Sequence, residues 1–211
     1  MDTQSSVLVA MRNLPITNLI SEELEESSDQ QEEDLVRRCQ KGDSRAFEQI
    51  VRQYQNQVYN IAYGMLGHRE DAQDLAQDVF LTLWEKIGQF RFKSRFSTWL
   101  YRIVTNLCIN EKNRQRRRQT SPMEMDDLQA WTPVDPNTPE KEVLLAEQQV
   151  LLQAALAQLK DKYRTILILR EMENLSYDAL SEVLGCSVGR VKSRLHEARM
   201  ELRKILQQKN R

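Results

Sequence analysis

Apolar residues recur every three or four positions through most of this chain, which is the spacing of one face of an α-helix. The pattern is clearest in residues 175–206, where it predicts two helices joined by a tight turn. Ser176 is a candidate N-cap of the first helix, and Gly185 stands where a helix ends in the left-handed conformation. Ser187 can cap the second helix. The apolar stripes consist of Leu180, Val183 and Leu184 in the first helix and Val188, Val191, Leu195, Ala198 and Leu202 in the second.

The remaining sides of the second helix carry cations and hydroxyl groups. They comprise Ser187, Arg190, Lys192, Ser193, Arg194, His196 and Arg199. A helix that buries one side and presents cations on another suits the major groove of DNA, where arginine and lysine meet phosphates and base edges. A helical hairpin with a solvated basic side is the alternative. The glycine turn, with Val191 six residues later, favours a helix-turn-helix.

The same periodicity predicts helices in the first half of the chain. A short helix ends at Gly42, a long helix capped by Asp43 ends at Gly67, and a third runs from about Arg69 to Ile87. Their apolar sides include Ala46, Phe47, Ile50, Val51, Tyr54, Val58, Ile61, Ala62 and Met65, and then Leu75, Val79, Phe80, Leu83 and Ile87. Because the chain has only 6 Gly and 5 Pro, its composition also favours an all-α fold.

One side of the third helix is acidic. Its polar residues are Asp71, Asp74, Gln77, Asp78 and Glu85. Spacings of three, four and seven residues place these side chains on a common side of the helix. Three interpretations stay open: a divalent metal site as in a nuclease, a solvated face, or a docking surface for a basic helix of a partner. The metal site is the weakest of the three, since no histidine joins the carboxylates.

Aromatic and cationic residues alternate directly after the third helix, in the segment QFRFKSRFS of residues 89–97. Unpaired bases stack on aromatic rings, cations follow the nucleic-acid backbone, and asparagine pairs with base edges. The segment and the helix that follows therefore supply candidate nucleic-acid contacts, although the phenylalanines and Trp99 could equally belong to the core. These candidates are Phe92, Lys93, Arg95, Phe96, Trp99, Arg102, Asn106, Asn110, Arg114 and Arg117.

Charge is distributed unevenly, although the net charge is only −1. Residues 21–34 hold eight carboxylates and no cation, whereas residues 112–118 hold five cations and no carboxylate. Such segregation predicts separate surfaces for separate partners. The sequence thus predicts an all-α protein with two small helical domains on an acidic, proline-containing linker, the second domain being a helix-turn-helix. The predicted parts are an acidic mobile extension (1–31), a first domain (32–118), the linker (119–137) and the second domain (138–211).

Several classes of protein are disfavoured. Cys39, Cys108 and Cys186 are widely spaced and form no CxxC motif, which predicts neither a disulfide framework nor a zinc site. The N-terminus lacks the features of a signal peptide and no stretch is apolar enough to span a bilayer, so a soluble, cytoplasmic protein is expected. No convergent catalytic site is visible, so we expect neither an enzyme nor a bound cofactor or metal.

These motifs, in this order, resemble a bacterial RNA polymerase sigma factor of the extracytoplasmic-function (ECF) subfamily, over about residues 33–206. Residues 70–90 resemble the region 2 helix that binds the polymerase. Residues 95–118 resemble the part that melts and reads the minus-ten element, and residues 161–195 resemble region 4, which reads the minus-thirty-five element. The sequence departs from the family pattern at three positions: Lys160 replaces a proline, Ser181 a small alanine, and Arg190 a threonine within the recognition helix.

The resemblance implies a dissociable subunit that binds core polymerase, places it at selected promoters and helps to open the DNA. The acidic side would meet the basic coiled coil of the largest subunit, and the flap would be a further contact on core polymerase. The aromatic loop with Asn106 would capture flipped bases of the non-template strand. An anti-sigma factor would be the expected regulator. The rival interpretation is a two-domain helix-turn-helix regulator that binds duplex DNA without polymerase.

Overall fold

The computed structural model describes residues 29–119 and 151–209, and no strand occurs within these ranges. The extension over residues 1–28, the predicted linker and the beginning of the predicted second domain lie outside the described residues. The helices are α1 (29–40), α2 (Ser44–Leu66), α3 (Arg69–Lys86), α4 (Phe96–Gln119), α5 (151–158), α6 (Asp161–Leu167), α7 (Tyr177–Leu184) and α8 (Val188–Lys209). The all-α prediction is therefore confirmed.

The described residues form two compact units. The first unit comprises residues 29–53 and 84–96, and the second comprises residues 54–83, 97–119 and 151–209. Three long helices, α2, α3 and α4, each contribute residues to both units.

In the first unit, Asp43 caps α2 as predicted. One carboxylate oxygen accepts hydrogen bonds from the backbone N–H groups of Arg45 and Ala46, at 2.9 and 3.1 Å. The other accepts from the Arg38 guanidinium at 2.8 Å, and this hydrogen bond is the main reason that the pKa of Asp43 lies below its ordinary value. The ring of Phe47 packs edge-on against Trp84, with centroids 4.8 Å apart. These contacts fix how α2 begins.

The second unit is built around the predicted apolar stripes. The stripe of α3 is confirmed for Leu75, Val79 and Leu83, whereas Phe80 is only half-buried. The core consists of Val58, Ile61, Met65, Leu75, Val79, Leu83, Leu100, Val104, Cys108, Ile166, Ile168, Leu169, Leu180, Val191, Leu195 and Ala198.

The helical segment over residues 161–172 is irregular. It begins as α6 and continues as a π-helical turn, Ile168–Met172, in which the Glu173 N–H donates to the Ile168 carbonyl at 3.3 Å. Asn174 then adopts φ 53°, a left-handed conformation that asparagine tolerates better than most residues. The helical segment thus ends just before Asn174.

Asp161, in the first turn of α6, receives two cations. Its carboxylate accepts from Lys112 Nζ at 2.5 Å and from an Arg116 Nη at 2.6 Å. The Lys112 side chain is 12% exposed and that of Asp161 is 25% exposed, so this pair is largely shielded from water. Burial alone would raise the pKa of Asp161, but the two cations outweigh burial and lower it.

Asp161→Asn is therefore expected to lower the free energy of unfolding at pH 7 by about 1–3 kcal/mol, because Lys112 loses its charged partner. A lowered pKa in the folded state stabilises the fold above the unfolded pKa of about 3.9, and this contribution disappears as pH falls through the folded pKa. Urea unfolding should then show a larger difference between variant and wild type at pH 7 than below the unfolded pKa, and the difference should shrink further as the pH falls. Asp178→Asn, an exposed residue in the first turn of α7, is the matched control. Equal stability of Asp161→Asn and wild type at pH 7 would contradict this role.

Candidate nucleic-acid interface

The turn between α7 and α8 has the geometry that its residues predict. The Ser176 hydroxyl oxygen accepts from the Ala179 N–H at 3.1 Å, which confirms the N-cap. Gly185 has φ 59°, the left-handed conformation that an L side chain rarely adopts. The sequence did not predict one further hydrogen bond, which the Ser181 hydroxyl donates to the Cys186 carbonyl at 2.5 Å. Ser181, which stands where the family pattern has alanine, thus adds a side-chain hydrogen bond across the turn.

Helix α8 buries the predicted stripe. Val191, Leu195 and Ala198 are buried, whereas Val188 and Leu202 are only half-buried. Of the predicted DNA contacts on α8, Arg194 is half-buried and the others are exposed, namely Ser187, Arg190, Lys192, Ser193, His196 and Arg199.

Four of these residues already have partners, including Lys192, whose Nζ lies over the Tyr177 ring, 5.7 Å from its centroid. The Ser187 hydroxyl oxygen accepts from the Arg190 N–H at 3.4 Å, a long capping bond, and the Ser193 hydroxyl donates to the Arg190 carbonyl at 3.2 Å. Arg199 forms an ion pair with Glu171 at 2.7 Å. The side chains of Arg190, Lys192 and His196 are exposed near the start of α8.

Helix α4 carries the asparagines and arginines assigned to melted DNA. Arg102, Asn106, Asn110, Arg114 and Arg117 are exposed, and Trp99 is half-buried. Some of these cations are engaged within the second unit: Arg102 donates to the Glu182 carbonyl, Arg114 pairs with Glu111 at 2.7 Å, and Arg117 donates to the Asn113 carbonyl at 3.2 Å. Arg102 contacts the backbone carbonyl of Glu182 and not its carboxylate, so this hydrogen bond does not neutralise the positive charge of Arg102.

The aromatic loop belongs to the first unit, and its phenylalanines have different environments. Phe90 and Phe96 are 6% and 3% exposed and pack edge-on, with centroids 5.6 Å apart. Phe96 was a candidate for contacting DNA, but in this structure the core covers its ring, which leaves it inaccessible for stacking on a base. Phe92 is half-buried and has φ 55°, while Lys93 and Arg95 are exposed. Alternation alone could not separate the core rings from the accessible one.

The acidic side of α3 is largely exposed. Asp74, Gln77, Asp78 and Glu85 are exposed, whereas Asp71 is half-buried and accepts a hydrogen bond from the Gln115 side chain at 3.0 Å. Leu81 is 65% exposed, three residues beyond Asp78, and sequence reasoning missed it. The exposure of Leu81 could have been predicted from helical periodicity, because Leu81 lies outside the buried stripe of α3.

Metal sites, membrane-spanning helices and reactive thiols are other features that the described residues could carry. Across residues 29–119 and 151–209, no three or more histidine, cysteine or carboxylate side chains form a group that could hold a metal ion. No helix in these ranges is both long enough and apolar enough to cross a bilayer. Burial raises the pKa of the Cys39 thiol to about 11 and that of the Cys108 thiol to about 12, so both are unreactive at neutral pH.

Comparison with known families matches both halves of the chain. The Sigma-70 region 2 family matches residues 50–118, and the Sigma-70, region 4 family matches residues 149–202. These matches, with the helix-turn-helix of α7 and α8, define a sigma factor of the sigma-70 class.

Similar full-length proteins refine this class. The chain is 35% identical to the ECF RNA polymerase sigma factor SigW of Bacillus subtilis (strain 168) over 176 residues, or 81% of this chain and 94% of SigW. It is 36% identical to the RNA polymerase sigma-H factor of Pseudomonas aeruginosa over 183 residues, or 84% of this chain and 95% of the relative. The chain belongs to the ECF sigma factor family.

Solved structures agree with this assignment. The sigma factor RpoE of Bartonella quintana, in complex with the anti-sigma factor NepR, is similar with a TM-score of 0.61 and 25% identity, covering 76% of this chain and 96% of RpoE. CnrH, in complex with the cytosolic domain of CnrY, has a TM-score of 0.62, covering 84% of this chain and 97% of CnrH. At 22% identity, CnrH supports the fold alone.

Proposed function

We propose that this protein is a dissociable promoter-specificity subunit of bacterial RNA polymerase. It binds core polymerase, directs it to particular promoters and helps to open the DNA. The observation that carries the proposal is the presence of a region 2 match and a region 4 match in one chain, in that order. In this role the protein acts by binding, in the cytoplasm where the polymerase works, and the polymerase performs the chemistry.

The acidic side of α3 is the proposed polymerase-binding surface. Its partner is the basic coiled coil of the largest subunit, and the flap is a further contact on core polymerase. The exposure of the carboxylates supports this assignment, because complementary charge steers association and sets orientation. The residues assigned are Asp71, Asp74, Gln77, Asp78 and Glu85.

Two different surfaces are proposed for DNA. The exposed cations near the start of α8 read the duplex minus-thirty-five element from the major groove. Exposed asparagines and arginines of α4 hold the melted minus-ten strand, and the aromatic loop of the first unit contributes Phe92, Lys93 and Arg95. Phe96 is left out of this set because it is buried.

An anti-sigma factor is the proposed regulator. Support comes from the Bartonella quintana relative, which was solved in complex with the anti-sigma factor NepR. The same surfaces that serve polymerase and DNA are accessible for such a partner, because α3 and α8 both present exposed charged sides.

Transcription with purified core polymerase on a promoter library tests the proposal. Core polymerase with the protein should initiate at a defined subset of sequences, whereas core polymerase alone should not. The rival, a helix-turn-helix regulator acting without polymerase, accounts for α7 and α8 but not for the exposed acidic side of α3. Selection of specific duplexes at nanomolar affinity by the protein alone, without initiation by the mixture, would favour the rival.

A further inference from the structure

A side chain of helix α1 holds the beginning of the aromatic loop. The Gln40 side-chain amide donates two hydrogen bonds, to the carbonyls of Ile87 and Phe90, both at 2.9 Å. These carbonyls belong to the first residue of the short 3-10 turn, Ile87–Gln89, and to the residue that follows the turn. One side chain of α1 therefore satisfies two backbone acceptors 47 and 50 residues away in sequence.

Two further contacts follow along the loop, within the same unit. The Arg37 guanidinium lies over the ring of Phe92, 4.1 Å from its centroid. Arg95 pairs with Asp29 at 3.1 Å. Side chains from both ends of α1 thus contact the loop on either side of its accessible ring.

The backbone at Phe92 requires such support. Its φ of 55° is uncommon for any residue other than glycine, and a large side chain persists there only where its surroundings hold it. Strained residues of this kind cluster at functional sites, where they position a group for a ligand. Phe92 is also the only half-buried phenylalanine of the loop, between the buried Phe90 and Phe96.

The ring of Phe92 has two neighbours, the Arg37 guanidinium and the ring of Phe90, which packs edge-on with centroids 4.8 Å apart. Because Phe92 is still only half-buried, the rest of its ring is the candidate stacking surface. The Arg37 guanidinium is itself held by Glu33, at 3.3 Å one turn earlier on α1. Cation–π attraction fixes the orientation of the ring, and the positive charge adds to the pull on a nucleic-acid strand.

We propose that Arg37 and Gln40 are positioning residues, which hold Phe92 as a stacking platform for one unpaired base of melted promoter DNA. The inference rests on the proposed function and extends it from the loop to α1. Arg37 orients the ring through its charge, while Gln40 fixes the backbone at Phe90, two residues before the ring.

The test uses holoenzyme reconstituted from core polymerase and the full chain. The probe is a single-stranded oligonucleotide with the non-template sequence of a promoter selected from the library, and its dissociation constant is measured. Variants are Arg37→Leu, Arg37→Lys, Phe92→Ala and the double variant Arg37→Leu with Phe92→Ala. Arg52→Leu is the matched control, since Arg52 is an exposed arginine of the same unit with the same i,i+4 pairing, to Glu48 at 2.7 Å.

Phe92→Ala is expected to weaken oligonucleotide binding at least about fivefold, the effect of losing one stacked base. Arg37→Leu should weaken it about two- to fivefold, and Arg37→Lys should recover most of that loss because it keeps the cation. The double variant should bind no more weakly than Phe92→Ala, and Arg52→Leu should bind like wild type. Gln40→Met should weaken oligonucleotide binding without affecting capture of core polymerase.

Additive losses in the double variant would overturn the inference, as would an Arg37→Lys variant no better than Arg37→Leu. If Arg37→Leu bound the oligonucleotide as tightly as wild type, and still captured polymerase and initiated transcription, this inference would be overturned while the proposed function would stand. Failure of the wild-type protein to capture core polymerase would instead overturn the proposed function.

Discussion

Reversal of two carboxylates on α3, Asp74→Lys with Asp78→Lys, is expected to abolish co-purification with core polymerase while leaving the melting temperature nearly unchanged. Both side chains are exposed, and the buried stripe of α3 faces another way. Surface substitutions of this kind change stability by about 0.5 kcal/mol or less. Two new cations against a basic partner are repulsive and can cost several kcal/mol of binding free energy. Co-purification and thermal unfolding measure the two effects separately.

The controls separate charge at this surface from charge in general. Asp74→Lys alone is compared with Glu48→Lys, which adds the same charge at an exposed position on α2. The single change on α3 should weaken capture, whereas the change on α2 should not. A folded double variant that captured polymerase as strongly as wild type would show that the acidic side is only a solvated face.

Arg194→Ala should weaken binding of the holoenzyme to its promoter by about 1–3 kcal/mol if the guanidinium makes a bidentate contact with a base. Arg194 lies on the recognition helix next to the buried Leu195, and its own half-burial restricts the directions in which it can point. Without the hydrogen bonds from the guanidinium to that base, the preference at one position of the minus-thirty-five element should also relax. Dissociation constants on a set of promoters with single base changes measure both effects.

Arg203→Ala is the matched control, since Arg203 is an exposed arginine nine residues later on the same helix. It should leave promoter preference intact. If Arg194→Ala weakened binding to every sequence by the same factor, Arg194 would be a phosphate contact, and base readout would belong to other residues of α8.

Local structure could be predicted from the sequence because local chemistry determines it. Ser176, Gly185 and Asp43 each act on backbone groups within a few residues, so their caps and turns follow from residue type and spacing alone. The buried stripes of α3 and α8 also follow from helical periodicity. Order, spacing and residue types were enough to suggest the ECF family, which the relatives then confirmed.

Contacts between distant segments could not be predicted in this way. The periodic loop phenylalanines look alike in sequence, and only tertiary packing buries Phe90 and Phe96 while leaving Phe92 half-exposed. The same holds for Gln40, whose partners lie 47 and 50 residues away, and for Asp161, which meets Lys112 across 49 residues. Periodicity describes one helix at a time and says nothing about which elements will meet.

Permanganate reactivity of promoter thymines tests the central claim most directly, because it detects unpaired bases and needs both duplex selection and opening. With a promoter selected from the library, thymines of the minus-ten element should become reactive only when core polymerase and this protein are both present. Neither core polymerase alone nor this protein alone should make these thymines reactive. A protein that protected specific duplex DNA by itself, and left every thymine unreactive in the presence of core polymerase, would contradict the account.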